Sequence, residues 1–258
     1  MVAAEYKERI RELYDKIAPE YDISSKLYIT RIMERCEEKV IYKILRNKSF
    51  PKSLDIGSGT GRYIPLLSKI SKYIVALDFS LNMLQILKKK HRHCKNLDII
   101  CADAEHPPFR EKTFDFIFST LTFDHIPNFK LMLEEIFRLL KNERMFIVSS
   151  FNEKLLERYR RNHGIPENTI DFETENVPKT YVYEKGHTPE ELTPIFKKIG
   201  FKNIIVISCC LWPVLLSILP KGIRSKVLRI YGPLIDKVLR LFRLFRENAL
   251  LYIYLVKA

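Results

Sequence analysis

Short apolar runs alternate with amphipathic stretches along the chain from residue 52 onward, and seven of the runs have the length and composition of β-strands. These runs begin at Lys52, Tyr73, Leu97, Phe114, Arg144, Phe201 and Leu250. Most stretches between them repeat apolar residues every three or four positions, as helices that pack on a sheet do. Such alternation requires a mainly parallel sheet with both faces covered. The pattern therefore predicts an α/β fold, doubly wound around a mainly parallel, seven-stranded sheet.

Two of the predicted helices carry signals at their ends. Ser80 directly precedes the helix of residues 81–90, where its hydroxyl can cap the first turn. Thr188 and Glu191 have the spacing of a capping box at the start of another helix, and Gly200 marks the end of that helix. We therefore expect helices to begin directly after Ser80 and Thr188.

Two segments interrupt the alternation of strands and helices. Residues 152–187 are rich in tyrosine and charge, and residues 209–248 follow the sixth predicted strand. Segments that follow strand ends in such a sheet often form lids over a ligand. We therefore expect one domain over residues 1–258, with residues 1–50 as an N-terminal helical cap and the two interruptions as lid or substrate-side insertions.

Three of the eight glycines occupy alternate positions in "SLDIGSGTGRY", directly after the first predicted strand. Glycine lets the backbone turn sharply and approach a ligand closely. A dinucleotide-binding turn needs a small residue where Arg62 stands, and the Gly-Lys-Ser/Thr sequence of a P-loop is absent. The turn therefore fits neither of these two nucleotide motifs.

Aspartates stand at or near the ends of the first three predicted strands: Asp55, Asp78 and Asp103. Each one alone is equally compatible with a turn or a helix cap. The carboxyl ends of parallel strands meet at one edge of the sheet, so the three carboxylates and the glycine turn are expected to converge there. We therefore predict a pocket for one small molecule at this edge.

Several motifs, in order, resemble those of the class I S-adenosylmethionine (SAM)-dependent methyltransferases, particularly the subgroup of ubiquinone and menaquinone biosynthesis. They are "YDKIAPEYD", "LDIGSGTG", "ALDFSLNML", "CADAEHPPF", "FDFIFS" and "LEEIFRLLK". The resemblance covers roughly residues 12–150, together with "HTPEELTPIFKKIGF". It implies a Rossmann-like methyltransferase fold, SAM as cofactor and S-adenosylhomocysteine (SAH) as product.

The resemblance also implies which residues contact the cofactor. The glycine turn, with Asp55 beneath it, is expected along the methionine and ribose portions. Asp78 is expected to accept hydrogen bonds from the ribose hydroxyls, and Asp103 from the adenine amine. The complete expected set is Asp55, Gly57, Ser58, Gly59, Gly61, Asp78, Phe79, Met83, Asp103, Ala104 and Ser119.

The segment after the fourth predicted strand, "STLTFDHIPN", borders the methyl acceptor in this family. Methyl transfer is an in-line displacement, so the enzyme must mainly align the reactants and exclude water. Asp124 and His125 are candidate catalytic proton acceptors for an acceptor that loses a proton, and the alternative is that they shape a turn or cap a helix. Candidate substrate-binding residues are Tyr14, Tyr21, Tyr183 and His187.

Cysteine and histidine spacing indicates neither a disulfide framework nor a metal site. The five cysteines have no CxxC spacing, and "HRHC" at 91–94 closes a predicted helix, where a solvated role is favoured over metal binding. The N-terminus has no apolar stretch of the kind found in secretory signals. We therefore expect a cytoplasmic protein without a bound metal.

The net charge of +13 is uneven, since residues 207–258 carry nine Lys or Arg and only two acidic residues. The spacing of apolar and basic residues within 221–246 predicts a basic amphipathic helix. Such a helix suits peripheral contact with a membrane or a cover over an oily pocket, and the other interpretation is a helix packed on its own domain with a solvated cationic face.

Three functions follow from these patterns. The first is a methyltransferase for a small lipophilic acceptor, quinone-like or isoprenoid, with the basic helix at a membrane surface. The second is an RNA methyltransferase, acting on tRNA, that uses the same cations against phosphates. The third is a SAM-binding protein without catalytic activity.

Overall fold

A computed structural model of the chain describes residues 3–24, 28–210 and 249–258. Within these ranges, two helices precede the sheet, α1 (Ala3–Ile17) and α2 (Tyr28–Leu45). The remaining elements are β1 (Phe50–Ile56), α3 (Ile64–Ile70), β2 (Ser71–Asp78), α4 (Leu81–Lys90), β3 (Leu97–Cys101), β4 (Phe114–Ser119), α5 (Phe129–Leu139), β5 (Leu140–Phe151), α6 (Glu153–His163), β6 (Thr169–Phe172), β7 (Thr180–Tyr183), α7 (Pro189–Ile199), β8 (Lys202–Cys209) and β9 (Leu251–Lys257). A short 3₁₀ turn spans Phe123–His125.

Seven strands of the described chain form one sheet in the order β3-β2-β1-β4-β5-β9-β8. The first five are parallel, and β9 runs antiparallel between β5 and β8. The prediction of a doubly wound, mainly parallel, seven-stranded sheet is confirmed. Because β1 lies between β2 and β4, the chain winds in opposite directions on its two sides. A crevice for a ligand opens at such a point, outside the carboxyl ends of the strands.

Both faces of the sheet are covered, as the near-continuous apolar strands require. Alternate residues of β4 point to opposite sides. Phe116 and Phe118 pack in a core with side chains of α2 and α3, whereas Ile117 packs in a second core with α5 and α7. All six residues of β4 are buried. Burial on both faces thus explains why this strand is apolar along its length.

The predicted helix starts and end are confirmed. The Ser80 hydroxyl accepts a hydrogen bond from the amide of Met83 at 3.1 Å. The Thr188 hydroxyl accepts one from the amide of Glu191 at 3.3 Å, and Gly200 ends α7 in a left-handed conformation at φ +118°. These local polar contacts satisfy backbone groups that the helices leave without a partner.

A third apolar cluster joins α1 to α4 and to the segment that interrupts the alternation. It includes Leu13 and Ile17 of α1, Met83 of α4 and Val182 of β7. The predicted insertion 152–187 contains α6 and the two-stranded antiparallel sheet β6–β7. This cluster therefore seats the hairpin beside the N-terminal helix.

The second predicted insertion, residues 209–248, lies outside the described residues except for its first two positions, and so does the basic helix expected within 221–246. Among the residues that are described, no helix has both the length and the apolar composition to cross a membrane.

Candidate active site

A cavity lies outside the carboxyl ends of β1, β2, β3 and β4 and is covered by α1. Its empty volume is about 1190 Å³, open solvent at its mouth included. Nine of the residues expected at the cofactor line it: Asp55, Gly57, Ser58, Gly59, Asp78, Phe79, Met83, Asp103 and Ala104. Ligand sites are commonly concave and largely pre-formed, with a few polar groups among apolar walls. The strand ends and the glycine turn therefore converge on a single concavity.

The glycine turn passes so close to its neighbours that side chains would not fit. Gly57 has φ +70°, and a Cβ there would lie 2.1 Å from Oγ1 of Thr122. Gly61 has φ +84°, and its Cβ would lie 2.7 Å from the ring of His91, so this glycine packs against the end of α4 and does not line the cavity. The turn thus needs glycine at Gly57 and Gly61 for packing as well as for backbone conformation.

Asp78 is held by two backbone amides at the end of β2. Oδ2 accepts a hydrogen bond from the amide of Gly59, and Oδ1 accepts one from the amide of Ser80, both at 2.8 Å. Burial raises the pKa of this carboxyl, and the hydrogen bonds from the amides oppose that effect. Each carboxylate oxygen has a further lone pair, so the group can still accept hydrogen bonds from a ligand in the cavity.

Asp55 lies deeper in the cavity wall, with 3% of the residue exposed. Burial raises the pKa of this carboxyl to about 7, the guanidinium of Arg62 opposes the increase, and the charge of Asp78 adds to it. A cation that comes close to a buried carboxyl of this kind favours its ionised form. The ammonium of a bound amino acid moiety would be such a cation.

Asp103 lines the cavity but its carboxylate already holds α1. Oδ2 lies 2.7 Å from Nζ of Lys7, which also lies 2.7 Å from Oε2 of Glu105, and Oδ1 accepts a hydrogen bond from the amide of Glu105 at 2.9 Å. An adenine amine would therefore share Asp103 with the ammonium of Lys7. The position of Lys7 had no signal in the sequence, since 96 residues separate it from Asp103.

A second contact fastens α1 at the other end of the same wall. Oδ1 of Asp15 accepts hydrogen bonds from the hydroxyl of Ser80 at 2.6 Å and from the amide of Asn82 at 3.0 Å. The helix cap of α4 is thus also an anchor for α1. Together with Lys7, Asp15 holds the N-terminal helix across the cavity.

Oxygen and nitrogen ligand atoms of Asp103, Glu105 and His106 lie within 4.8 Å of one another, the spacing of a metal site, and they form the one such group among the described residues. The ammonium of Lys7 lies between two of these carboxylates. The ammonium of Lys7 therefore offsets part of the negative charge of these two carboxylates.

Two aromatic side chains meet at the cavity wall formed by the 3₁₀ turn. The hydroxyl of Tyr14 lies 3.0 Å from Nε2 of His125, and Nδ1 of His125 lies 3.0 Å from the carbonyl oxygen of Tyr183. A carbonyl only accepts, so Nδ1 carries the ring proton of the neutral imidazole and Nε2 accepts the hydrogen bond from Tyr14. Burial raises the pKa of the Tyr14 hydroxyl well above its usual value, which keeps it a donor. His125 therefore presents a basic nitrogen beside the cavity.

Asp124, the neighbour of His125, points away from the cavity and is 1% exposed. Its carboxylate accepts hydrogen bonds from the hydroxyl of Ser150 and from the amide of Phe151, the latter at 2.7 Å. Its carbonyl accepts one from the amide of Lys185 at 2.9 Å. Burial raises the pKa of the carboxyl well above its usual range. Asp124 thus joins β5 to the insertion, which matches the structural alternative for this residue.

Three other residues expected at the site also lie away from the cavity walls. Ser119 is fully buried inside the sheet, one position before Thr120, which does line the cavity. Tyr183 contributes only its carbonyl to His125. His187 is 1% exposed and packs against aromatic rings of the core, with Nδ1 3.3 Å from Oε2 of Glu191. Tyr14 and Tyr21, in contrast, both line the cavity.

Arg62 is a cavity residue that the sequence pattern did not single out as functional. Its guanidinium lies 2.7 Å from Oε2 of Glu37 and 3.5 Å from Oε1 of Glu34, both on α2. In the sequence, its position directly after the glycine turn argues against a dinucleotide motif but gives no sign of the two glutamates that hold it. The two carboxylates hold this cation beside the glycine turn.

Comparison with known proteins gives the family. Residues 54–148 match the family described as a methyltransferase domain. An uncharacterized protein of Methanocaldococcus jannaschii is 32% identical over 211 residues, which are 76% of this chain and 77% of that protein. A demethylmenaquinone methyltransferase of Staphylococcus carnosus is 24% identical over 215 residues, 78% of this chain and 88% of that enzyme.

The fold is shared with solved structures. The complex of DhpI with SAM and HEP superimposes with a TM-score of 0.68 at 16% identity and covers 98% of both chains. The seven-stranded sheet, the cavity at its carboxyl edge and the similar proteins all indicate the same family. The chain belongs to the class I SAM-dependent methyltransferases, with SAM as cofactor and SAH as product.

Proposed function

We propose that this methyltransferase acts on a small lipophilic acceptor of the quinone or isoprenoid type. The observation that carries the proposal is the aromatic cluster of Tyr14, Tyr21 and His125 in the cavity wall. The ring centroids of Tyr14 and Tyr21 are 6.2 Å apart, and those of Tyr14 and His125 are 5.7 Å apart. Aromatic rings in a cavity wall suit a flat ligand with an apolar body, and the polar groups beside them can fix its orientation.

The relatives support the same class of acceptor. The similar protein of Staphylococcus carnosus is a demethylmenaquinone methyltransferase. A ring acceptor of that kind carries a polar oxygen on an apolar body, which matches the hydroxyl and imidazole among the aromatic rings here. Two observations therefore support the proposal: the aromatic residues that line the cavity and the activity of a distant relative.

The proposed catalytic residue is His125. SAM supplies a methyl group on a positively charged sulfur. Nε2 of His125, reached through the hydroxyl of Tyr14, takes the proton that a hydroxyl or acidic carbon of the acceptor must lose. Asp55 and Asp78 hold the cofactor, and α1 excludes water from the cavity. General-base catalysis of this kind contributes about 10²–10⁴-fold to a rate.

The test is transfer of labelled methyl groups from SAM to a membrane-lipid extract and to total RNA in parallel reactions. We expect label in the lipid fraction. Label in RNA alone would replace the proposal with an RNA methyltransferase. Binding of SAM without label in either fraction would favour the SAM-binding protein without catalytic activity.

A pair of histidine variants tests the role of His125. His125→Gln is expected to lower kcat by about 10²–10⁴-fold, because the base is removed while the ring's space is largely filled. His93→Gln is the matched control, since His93 is exposed at the end of α4 and is bonded to Arg92. Equal activity of the two variants would remove His125 from the mechanism.

A further inference from the structure

The carboxylate of Glu184, one residue after β7, lies beside the proposed catalytic histidine. Its Oε2 is 3.7 Å from Nε2 of His125, and the residue is 6% exposed. The backbone of Glu184 is fixed separately: its amide donates to the carbonyl of Asn168 at 3.0 Å, and its carbonyl accepts from Nη2 of Arg160. The backbone of Glu184 is thus held by its own hydrogen bonds, and the side-chain carboxylate is available to face His125.

We propose that Glu184 is a positioning residue whose carboxylate stabilises the imidazolium of His125 while the acceptor's proton resides on Nε2. The proposal deepens the proposed function and rests on His125 as its base. It makes Tyr14, His125 and Glu184 one relay, built from α1, the 3₁₀ turn and the hairpin that inserts after β5.

The other charged groups near Glu184 have partners of their own. On α6, Arg160 donates through Nη1 to Glu153 at 2.7 Å and through Nε to the carbonyl of Thr169 at 2.8 Å. On β6, Asp171 accepts from the hydroxyl of Tyr159 at 3.0 Å and pairs with Lys179. Asp124, on the turn itself, is bound to β5. Tyr14 faces His125 from α1 as a neutral hydroxyl.

This arrangement leaves the imidazole of His125 as the group that the Glu184 carboxylate meets directly. Burial raises the pKa of the Glu184 carboxyl, while the nearby charges of His125 and Arg160 oppose that increase and those of Glu153 and Asp171 add to it. A buried carboxylate gains most when a positive charge forms beside it, because few water molecules compete for either group. Formation of the imidazolium therefore costs less free energy with Glu184 present.

In the proposed step, one proton moves from the acceptor to His125 and one methyl group moves from sulfur to the acceptor. The bond between hydrogen and oxygen, or acidic carbon, of the acceptor breaks, and its proton passes to the Tyr14 oxygen while the Tyr14 proton forms Nε2–H on His125. The electron pair left on the acceptor forms the bond to the methyl carbon as the bond from that carbon to sulfur breaks. Tyr14 ends unchanged, and His125 and Glu184 end as a neutral ion pair.

The relay restricts the class of acceptor. A base with a countercharge is useful only when the acceptor must lose a proton, as a phenol-like or enol-like hydroxyl or an acidic ring carbon must. The substrate class is therefore an acceptor that loses a proton, and a hydroxyl or acidic carbon of the proposed quinone-type acceptor meets that condition.

The experiment compares the pH dependence of kcat for the full chain and for Glu184→Gln, which keeps the size of the side chain and the backbone contacts. We expect kcat to fall about tenfold with KM unchanged, and the acidic limb of the profile to move to lower pH, because the imidazolium has lost its countercharge. Glu184→Asp, which keeps the charge, should recover part of kcat. Asp171→Asn, on the same hairpin, is the control that should leave the profile in place.

An NMR titration of the His125 ring in the SAH-bound protein separates this inference from the acceptor assignment, since it needs no acceptor. A lower midpoint in Glu184→Gln, with Glu184→Asp closer to the unmodified protein, supports the relay even if every lipid acceptor fails. Coincident midpoints in all three proteins overturn it. Should Glu184→Gln not fold, as judged by thermal melting, Glu184→Ala takes its place, and a midpoint equal to that of the unmodified protein overturns the proposal.

Discussion

Cofactor binding should release a proton from Asp55. The pKa of this buried carboxyl is about 7 against an ordinary value of 3.8, so the carboxyl is about 0.8 protonated at pH 6.5 before the ligand arrives and only about 0.03 protonated at pH 8.5. If the ammonium of SAH lies beside Asp55, it favours the carboxylate and drives that proton into the solvent. Binding should then release about 0.8 protons at pH 6.5 and close to none at pH 8.5.

Calorimetry of SAH binding in buffers of different ionisation enthalpy measures this number directly. The slope of observed enthalpy against buffer enthalpy is the count of protons exchanged. Asp55→Asn should give a slope near zero at both pH values. Asp115→Asn is the matched control, because Asp115 is also a buried aspartate but lies outside the cavity walls and pairs with Lys141 at 2.9 Å. Its slope should equal that of the unmodified protein.

The same carboxyl makes the stability of the ligand-free protein depend on pH. A pKa raised from 3.8 to about 7 corresponds to about 4 kcal/mol of cost for ionising Asp55 in the folded state. Its stabilising contribution is fully present below pH 3.8 and is lost as pH rises through 7. Asp55→Asn should therefore be the more stable protein at pH 8 in urea denaturation and lose that advantage as the pH falls. A proton count near zero at pH 6.5, or an unchanged count in Asp55→Asn, would refute the reasoning.

Three further perturbations probe the cavity wall and its cover. Asp78→Ala should weaken SAH binding in calorimetry by about 1–3 kcal/mol, because ligand and backbone donors lose their acceptor; unchanged affinity would remove Asp78 from the site. Gly61→Ala should lower the free energy of unfolding in urea by about 2 kcal/mol, since a Cβ at φ +84° would lie 2.7 Å from the ring of His91; an unchanged midpoint would contradict this packing. Lys7→Met removes the ion pairs to Asp103 and Glu105, and stopped-flow displacement should show faster release of SAH; an unchanged rate would mean that α1 does not retain the ligand.

The central sheet could be predicted because burial on both faces dictates composition. Each residue of β4 is buried, so the strand is apolar throughout and its ends are visible in the sequence. The caps at Ser80 and Thr188 were predictable because a cap contacts only the next turn of its own helix. Interactions between residues that are close in the sequence leave a local pattern, and such interactions can therefore be predicted from the sequence.

Contacts between distant segments left no such pattern. The hairpin β6–β7 was not predicted, because its strands are only four residues long and largely half-exposed. The antiparallel place of β9 between β5 and β8 depends on how the last strand returns to the sheet. Alternation along the chain contains no information about that return.

Asp124 and His125 show the same limit within the candidate site. They are adjacent in the sequence, but a 3₁₀ turn rotates successive side chains by about 120°. His125 thus faces the cavity, while Asp124 faces Ser150 of β5. The sequence places both residues in one segment but does not show which of them faces the cavity and which one faces β5.

The N-terminal helix has a consequence for how specificity can change in this family. The matched methyltransferase domain covers residues 54–148 and contains the glycine turn and Asp78, whereas Tyr14 and Lys7 belong to α1 outside it. Under the proposed function, α1 therefore contributes from outside the matched domain both to the donor side, through Lys7 on Asp103, and to the acceptor side, through Tyr14 on His125. A change confined to α1 is expected to alter cofactor retention and acceptor choice together, while the glycine turn and Asp78 stay in place.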